Sequence, residues 1–273
     1  MIPTLDGRLV LVGAGKMGGA MLAGWLERGI RADAVAVVEP QPSPELTELA
    51  ASSGFALNPD LAAMDDASVV VLAVKPQAMD AALTGVVGLG RSKPVVLSIA
   101  AGRTIASFEA AFGAGAAIVR AMPNTPAAIG RGITVACANG AVSAGQKALA
   151  TALLEAVGEV AWIEDEALID AVTALSGGGP AYVFLLAECM AAAGVAAGLP
   201  EDLAMRLARA TVSGAGELMH RSSEEAATLR KNVTSPGGTT AEALKVLMAK
   251  GGLPDLMVEA IAAATRRSKD LAG

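Results

Sequence analysis

The chain has 273 residues and a net charge of −6, and 53% of its residues are hydrophobic whereas 18% are charged, a size that allows one large domain or two ordinary ones. The excess of hydrophobic residues comes from alanine, and the longest charge-free stretch in the middle of the chain, 171–187, is shorter than the ~20 apolar residues of a membrane span. Aromatic residues make up 3% and no basic stripe occurs, so we expect neither a membrane nor a nucleic-acid partner.

Histidine and cysteine are too sparse for the common metal and redox sites. Cys137 and Cys189 are far apart and form no CxxC pair, and His220 is the single histidine, so we expect no metal. His220 is expected to be a cation near a helix C-terminus. The first eight residues lack the basic-then-apolar order of a signal peptide, which predicts a cytoplasmic protein.

Short apolar strands alternate with helical segments in the first half of the chain. The spacing predicts helices over 19–28 and 44–53, and strands over 8–12, 34–38, 68–74, 94–99 and 116–119, with weaker strands over 133–136 and 159–163. The strand over 68–74 is a continuous apolar run from residue 69 onward, as a strand buried on both faces should be. This alternation predicts an α/β fold with a Rossmann-type, doubly wound, mostly parallel sheet.

After about residue 163 the strand signals stop. Helices are predicted over 180–197, 200–220, 223–232, 239–250 and 254–271. We therefore expect a dinucleotide-binding domain over 1–163 and an all-α dimerisation and substrate-binding domain over 164–273. The small-residue run 191–198 either packs tightly within one subunit or forms an interface between subunits. The interface is favoured because roughly 110 alanine-rich residues make a thin core alone.

A glycine-rich motif, Gly13-x-Gly15-x-x-Gly18, lies between the first predicted strand and helix. In this context the first glycine makes a tight turn, the second lets the backbone approach a pyrophosphate, and the third allows close helix–strand packing. The helix N-terminus adds N–H donors and a positive dipole end. The motif predicts a bound dinucleotide; the alternative is a plain strand–helix turn.

Glu39 ends the second predicted strand, where a carboxylate can bond the ribose 2′-OH of NAD and would repel a 2′-phosphate. No Lys or Arg occurs between Arg31 and Lys75. These local charges favour NADH, and the alternative is that Glu39 is a solvated strand-end charge.

Other loops follow predicted strands and should line the same crevice, since ligands gather at the carboxyl ends of parallel strands. Lys75 is well placed there for phosphate or ribose. Asn124 either hydrogen-bonds the nicotinamide or a water, or forms an Asx-type turn before Pro126.

A Gly-Gly turn at 237–238 precedes a predicted helix and offers several backbone N–H groups to an anion such as a carboxylate. Thr239 and Glu242 have the spacing of a capping box. The alternative is therefore a plain capped helix start.

Six motifs together resemble the pyrroline-5-carboxylate reductase family over nearly the whole chain. They are GAGKMG (13–18), VKPQ (74–77), SIAAG (98–102), RAMPNTP (120–126), SGGGPAY (176–182) and VTSPGGTT (233–240). The resemblance implies an oxidoreductase that reduces 1-pyrroline-5-carboxylate to L-proline with NADPH or NADH, the last step of proline biosynthesis. It also implies a helical domain interlocked in a homodimer, with rings of dimers in many members.

Carried over by position, the resemblance assigns three groups of residues. The cofactor would be held by residues of the glycine loop and of the strand-end loops: Gly13, Gly15, Lys16, Met17, Gly18, Glu39, Ala73, Val74, Lys75, Pro76, Ala100 and Asn124. The substrate would be held by Ser176, Val233, Gly237, Gly238, Thr239 and Thr240. Thr240 would also be the catalytic residue, bonded to the imine nitrogen.

Two positions depart from the family pattern. Gly178 stands where the family usually has a serine, which puts a polar role there in doubt. The family commonly uses NADPH, whereas Glu39 favours NADH, and Asp60 falls where some members place an asparagine near the 2′-phosphate. The preference between the two cofactors stays open.

Two other functions fit parts of the sequence. A β-hydroxyacid dehydrogenase would need a lysine on the first long helix of the second domain, and 171–187 carries no charge. A non-enzymatic dinucleotide-sensing module would bind cofactor without oxidising it in the presence of the imine.

Overall fold

Runs of valine, leucine and alanine build one sheet of eight strands in the computed structural model, which describes residues 5–272. The strands are β1 (Arg8–Val12), β2 (Val35–Val38), β3 (Ala56–Leu57), β4 (Ala67–Leu72), β5 (Val95–Ser98), β6 (Ala117–Met122), β7 (Gly132–Ala138) and β8 (Gly158–Trp162). Their order is β3-β2-β1-β4-β5-β6-β7-β8, and β6 with β7 is the antiparallel pair among the described strands. The predicted doubly wound, mostly parallel sheet is confirmed.

Both faces of the sheet are buried. Alternate residues of β1 point to opposite faces, so Leu9 and Leu11 pack with Trp25 on one side, whereas Val10 and Val12 pack on the other. A strand covered on both faces needs apolar residues at every position rather than at every second one. This explains the unbroken apolar runs over 9–12 in β1 and 69–72 in β4.

Helices cover the two faces. In chain order they are α1 (Lys16–Glu27), α2 (Pro44–Ser53), α3 (Met79–Val86), α4 (Ile105–Phe112), α5 (Ala144–Leu154) and the short α6 (Ile169–Val172). Buried side chains of α1, α2 and α5 join the core around Trp25, and those of α3 and α4 join the core around Phe108. Strands linked by helices that lie on alternate faces give the doubly wound arrangement.

Local signals explain the ends of several helices. The Leu46 N–H donates to the Ser43 Oγ at 3.2 Å at the start of α2, and the helix ends at Gly54 with φ of +86°. A capping serine, a proline in the first turn and a left-handed glycine are the usual helix boundaries. The prediction over 44–53 is therefore confirmed to the residue.

The remaining helices follow a π-helical turn at Thr173–Gly177. They are α7 (Gly179–Ala196), α8 (Glu201–Arg221), α9 (Ala226–Asn232), α10 (Thr239–Leu247) and α11 (Leu253–Ala272). At Gly194 in α7 an added Cβ would lie 3.2 Å from the Ala204 Cβ of α8. Part of the small-residue run thus packs within the chain.

The described residues divide into two compact units. One runs to Gly177 and takes in the chain from Thr265 onward, and the other is Gly178–Ala264. We call them the sheet unit and the helical unit. The domain boundary between residues 163 and 164 stays a proposal. The leader-peptide expectation depends partly on residues 1–4, which lie outside the described residues.

Two sequence-based expectations need correction. The two-residue strand β3 was not predicted, because so short a segment carries no periodic signal. Secondly, the apolar segment is longer than the charge-free stretch 171–187, which was judged too short for a membrane span, and it continues through the glycines at 177–179. Gly178 keeps helical dihedral angles (φ −81°, ψ −20°), and the described stretch Glu166–Ala196 is long and apolar enough to cross a membrane by length and composition. The same test is passed by helices that pack against protein.

Candidate functional site

Two glycines of the loop between β1 and α1 are required by packing. Gly13 has φ of +91°, and an added Cβ would lie 2.8 Å from the Ala73 carbonyl oxygen. At Gly18 an added Cβ would lie 2.1 Å from the Gly13 carbonyl oxygen. A side chain at Gly13 would clash with the segment that follows β4, and one at Gly18 would push α1 away from the end of β1. These distances agree with the predicted roles of the first glycine in the turn and of the third in helix packing.

Gly15 differs because the space in front of it is open. Within the part of the chain that the structure describes, no heavy atom comes within 4 Å of a Cβ placed there. Gly15 is also the N-cap of α1, which has no side-chain cap. The N–H groups of the first turn, which begins at Lys16 and the half-buried Met17, are therefore left without a side-chain acceptor at the cap. An open backbone cradle at a helix N-terminus fits a pyrophosphate. The residues present therefore fit a dinucleotide.

The Glu39 carboxylate is held against the glycine loop. The Ala14 N–H donates to Glu39 Oε2 at 2.9 Å, and the Gln41 N–H donates to Oε1 at 3.2 Å. Glu39 is thus more than a solvated strand-end charge. A carboxylate between the glycine loop and the end of β2 lies where the adenosine ribose of a dinucleotide binds; its contact with that ribose stays a prediction.

Asn58 is a residue of this site that the sequence analysis missed. The Glu39 N–H donates to Asn58 Oδ1 at 2.8 Å, and Asn58 Nδ2 donates to the Glu39 carbonyl at 2.9 Å. Asn58 follows β3 with a left-handed φ of +51°, a conformation that asparagine tolerates. The sequence offers no cue for this residue, because the two-residue strand before it carries no periodic signal.

The loops after β4 and β5 lie at the same edge of the sheet as the glycine loop. Ala73 and Val74 pack against Gly13, whereas Lys75 and the neighbouring Pro76 are exposed. Ala100 is buried, and its N–H donates to the Ser98 Oγ at 3.3 Å. Contact of Ala100 with a cofactor would therefore involve its carbonyl or methyl group rather than its N–H.

Asn124 follows β6, and its side chain accepts a hydrogen bond from the neighbouring strand β7. The Ile133 N–H donates to Asn124 Oδ1 at 3.0 Å, which fixes the start of β7. The expected alternative, a local Asx-type turn before Pro126, is wrong. Pro126 lacks the N–H that such a turn would use. The role of Asn124 toward nicotinamide stays a prediction.

Ser176 lies in the π-helical turn, a type of distortion that is frequent at functional sites. Its hydroxyl donates to the Val172 carbonyl at 3.1 Å. At the next residue, Gly177, an added Cβ would lie 2.7 Å from the Met122 Cε. The turn therefore lies against the end of β6, and the substrate role of Ser176 stays a prediction.

The second candidate site is the turn before α10, in the helical unit. Gly237 has φ of +69°, and Gly238 is the N-cap of α10. The predicted capping box is wrong, since the cap is Gly238 rather than Thr239, and Glu242 instead pairs with Lys245 at 2.6 Å. Glycine at the N-cap leaves the first-turn N–H groups without a side-chain acceptor.

The missing cap favours the anion-binding alternative over a plain capped helix start. The N–H groups of Thr239 and Thr240 open α10 next to a Gly-Gly turn, where no bulky side chain covers them. Thr240 is exposed, and Val233, at the end of α9, is 65% exposed. This arrangement can bind a carboxylate through backbone N–H groups and the helix dipole.

A buried ion pair supports the sheet edge and was not expected from the sequence. Arg120, 4% exposed, donates from Nη1 to Glu166 Oε1 at 2.7 Å, and the same oxygen accepts the Ile105 N–H at 2.8 Å. Burial, reinforced by the Glu166 charge, raises the pKa of the neighbouring Cys137 thiol. An arginine inside an apolar strand is the signal that could have revealed the pair.

Two further observations concern possible metal ligands and the position of His220. Within residues 5–272, no group of three or more His, Cys, Asp or Glu side chains could hold a metal ion. His220 lies in the last turn of α8, as expected.

Two family models match the chain. The model described as pyrroline-5-carboxylate reductase dimerisation matches residues 166–271. The model described as NADP oxidoreductase, coenzyme F420-dependent, matches residues 8–102. The first match includes the turn before α10, and the second includes the glycine loop.

Curated relatives match over nearly the whole length. The pyrroline-5-carboxylate reductase of Pseudomonas aeruginosa is 41% identical, over 97% of this chain and 97% of that protein. The pyrroline-5-carboxylate reductase of a Synechocystis species is 41% identical, over 97% of this chain and 98% of that protein.

Solved structures match equally completely. A pyrroline-5-carboxylate reductase from Coxiella burnetii superposes with a TM-score of 0.89 at 34% identity, covering 98% of this chain and 99% of the other. The Plasmodium falciparum pyrroline carboxylate reductase, solved with NADP bound, has a TM-score of 0.82 at 28% identity, covering 99% and 100%. The resemblance predicted from the six motifs is confirmed.

Proposed function

Because this chain belongs to the pyrroline-5-carboxylate reductase family, we propose that it reduces the cyclic imine 1-pyrroline-5-carboxylate to L-proline with a hydride from NADPH or NADH. The observation that carries the proposal is the match to relatives of this name along almost the full length of both chains. The enzyme would be an oxidoreductase acting on a C=N bond, at the last step of proline biosynthesis.

The sheet unit would hold the cofactor. The open backbone at Gly15 and the first turn of α1 would bind the pyrophosphate, with the Lys16 charge nearby. Lys75 and Pro76, with Ala100 and Asn124, would line the rest of the crevice, because the strands that they follow end at one edge. When bound, the reduced nicotinamide supplies the hydride that the imine carbon accepts.

The turn before α10 would hold the substrate carboxylate. Gly237, Gly238 and Thr239 would contribute backbone N–H groups, and the uncapped start of α10 supports this assignment. Holding the carboxylate fixes the ring that carries the imine. We propose that this orientation contributes most of the rate, since correct placement of two reactants can lower a barrier by several kcal/mol, ~7 or more in favourable cases.

Thr240 would polarise the imine nitrogen. Reduction adds a hydride to carbon and a proton to nitrogen, and the iminium form is the better electrophile. The Thr240 hydroxyl can donate a hydrogen bond to the nitrogen but is too weak an acid to deliver the proton unaided. We propose that the proton comes ultimately from water and that Thr240 holds the nitrogen in place to receive it.

The assembly would be a homodimer formed through the dimerisation region 166–271. Rings of dimers, a cytoplasmic location and the absence of nucleic-acid and membrane partners belong to the same proposal. The net charge of −6 and the aromatic content of 3% support the absence of a nucleic-acid partner.

The test follows the oxidation of NADPH and NADH, by the absorbance of the reduced nicotinamide, on the purified chain with 1-pyrroline-5-carboxylate. We expect imine-dependent oxidation and formation of L-proline. Binding of cofactor without imine-dependent oxidation would favour a sensing module instead. Activity with 3-hydroxyacids in the reverse direction, and none with the imine, would favour a β-hydroxyacid dehydrogenase.

A further inference from the structure

The hydrogen-bonded network at the end of β2 goes beyond what the reaction itself requires. We propose that Glu39, held in place by Asn58, makes this enzyme prefer NADH over NADPH. The inference deepens the proposed function and rests on it for the identity of the ligand as a nicotinamide dinucleotide. Asn58 is a positioning residue in this proposal, and Glu39 is the group that touches the cofactor.

The Glu39 carboxylate lies against the glycine loop. Glu39 Oε2 accepts the Ala14 N–H at 2.9 Å, so the charge lies directly on the loop that fits the pyrophosphate. Glu39 Oε1 accepts the Gln41 N–H at 3.2 Å. Each oxygen keeps a second lone pair that can accept a ribose hydroxyl. The carboxylate therefore offers acceptors, and no donors, to the 2′ position of the adenosine ribose.

Hydrogen bonds from Asn58 hold the backbone of Glu39 in place. Asn58 bonds both the N–H and the carbonyl of Glu39, at 2.8 Å and 2.9 Å, and its own N–H donates to the Val37 carbonyl at 2.7 Å. These three hydrogen bonds to Val37 and Glu39, at the end of β2, fix the backbone from which the Glu39 side chain projects. Its left-handed φ of +51° aims the Asn58 side chain at that backbone. Glu39 thus has little freedom to swing away from an incoming phosphate.

NADH and NADPH differ in charge at the 2′ position of the adenosine ribose. NADH presents a 2′-hydroxyl that can donate a hydrogen bond to a fixed carboxylate. NADPH presents a 2′-phosphate with a charge of about −2 near neutral pH. Two fixed negative groups in contact repel each other strongly where water is partly excluded. The same carboxylate that stabilises NADH therefore destabilises bound NADPH.

The cations nearest to Glu39 in the sequence do not compensate for its negative charge. The nearest preceding cation in sequence, Arg31, pairs with Asp33 through its Nε at 2.9 Å. The next one, Lys75, follows β4, which is separated from β2 by β1. Lys16 lies in the loop that would hold the pyrophosphate, which both cofactors share, so its charge does not distinguish them. The 2′-phosphate would face Glu39 with no arginine clamp from this segment.

The experiment measures dissociation constants for NADH and NADPH separately, by calorimetric titration without substrate. We expect the wild-type chain to bind NADH at least about tenfold more tightly than NADPH, equivalent to ~1.4 kcal/mol. Glu39→Gln keeps the size of the side chain and an acceptor for the Ala14 N–H but removes the charge. This variant should reduce the preference to about threefold or less, mainly through tighter NADPH binding.

Asn58→Gly tests the positioning role, because glycine tolerates the left-handed φ and removes the side-chain amide alone. Its preference for NADH should fall by at least about threefold, with a melting temperature close to that of the wild type. Glu48→Gln, an exposed charge on α2, is the matched control and should leave the ratio unchanged. An unchanged ratio in Asn58→Gly would overturn the role of Asn58.

Two other outcomes overturn the main claim: equal or tighter binding of NADPH by the wild type, or an unchanged ratio in Glu39→Gln. These results are independent of the proposed reaction, since no imine is present in the titration. If the chain binds NADH selectively but does not oxidise it with 1-pyrroline-5-carboxylate, the proposed function fails and the cofactor preference stands.

Discussion

The two units of the chain differ in how they bury apolar residues. In the sheet unit Trp25, Phe108 and the central strands are fully buried. Within Gly178–Ala264, a stretch that the structure describes throughout, the buried residues are Ala191, Ala204 and Ala208. Large apolar side chains of this unit are exposed in the single chain. The helical unit thus lacks a core of its own, and this fits a region whose function is dimerisation.

The exposed apolar side chains are concentrated on α7. They include four consecutive residues, which are between 45% and 63% exposed: Val183, Phe184, Leu185 and Leu186. Stretches of this kind stay in water only at a large cost, since each fully buried side chain of this size contributes ~1.5–3 kcal/mol. We therefore expect the hydrophobic residues to divide between the sheet core and a subunit interface that includes α7.

The largest effect should come from placing a charge in that interface. We expect Phe184→Arg to prevent dimer formation at micromolar concentration and to lower activity more than about hundredfold, because an unpaired guanidinium would be buried. Light scattering coupled to gel filtration gives the mass, and circular dichroism gives the helix content. The helical signal should fall together with the dimer.

The matched control is Val87→Arg, which adds the same charge to the sheet unit at a residue that is 38% exposed. This variant should remain dimeric and active. A dimeric, fully active Phe184→Arg would show that α7 is not in the interface and that the helical unit is stable by other means.

The next largest effect should come from removing the cation of the ion pair between Arg120 and Glu166 in the sheet unit. Arg120→Met leaves the Glu166 carboxylate without its cation at a half-buried position, and we expect a loss of about 3 kcal/mol in the free energy of unfolding. Urea titration at a fixed protein concentration measures it. The exposed pair of Arg31 and Asp33 provides the control, since Arg31→Met should leave the urea midpoint unchanged. Equal shifts in the two variants would contradict a special role for the buried pair.

The fold was largely predictable because its signals are local. A strand buried on both faces is recognised by an unbroken apolar run, as over 69–72 of β4, and a serine, a proline and a glycine bound α2. β3 escaped because two residues carry no periodicity. The register and order of the strands depend on contacts between distant segments, which no local pattern encodes.

The sites were predictable only where a backbone motif defines them. The glycine loop and the Gly237–Gly238 turn were located because glycine is needed wherever the backbone is left-handed or must approach another group. Side-chain networks were not: Asn58 and the pair of Arg120 with Glu166 depend on residues brought together by folding. The supposed capping box at Thr239 failed because the helix begins one residue earlier than its spacing requires, with Gly238 as the N-cap.

A smaller effect should distinguish chemistry from stability within the helical unit. Thr240→Val keeps the shape of the side chain and removes the hydroxyl. We expect turnover to fall at least about tenfold, or ~1.4 kcal/mol in the barrier, with little change in melting temperature. Thr228→Val makes the same change at an exposed position of α9 and should leave turnover unchanged. Unchanged kinetics in Thr240→Val would remove Thr240 from the mechanism.

The smallest effect concerns the backbone of the cofactor cradle. Gly15 has φ of −67° and open space at its Cβ position, so Gly15→Ala should fold without strain. The new methyl group would stand where the pyrophosphate approaches, and we expect the dissociation constant for the preferred cofactor to rise about fivefold, or ~1 kcal/mol. Titration of the cofactor measures this change, and the thermal midpoint without cofactor should match that of the wild type.

Gly85→Ala supplies the comparison for this variant, because it adds the same methyl group in open space on α3. It should leave cofactor binding unchanged and slightly stabilise the helix, by up to ~1 kcal/mol. If Gly15→Ala bound the cofactor as tightly as Gly85→Ala, the open space at Gly15 would not be the cradle. The first-turn N–H groups of α1 would then need another ligand to account for a helix start without a side-chain cap.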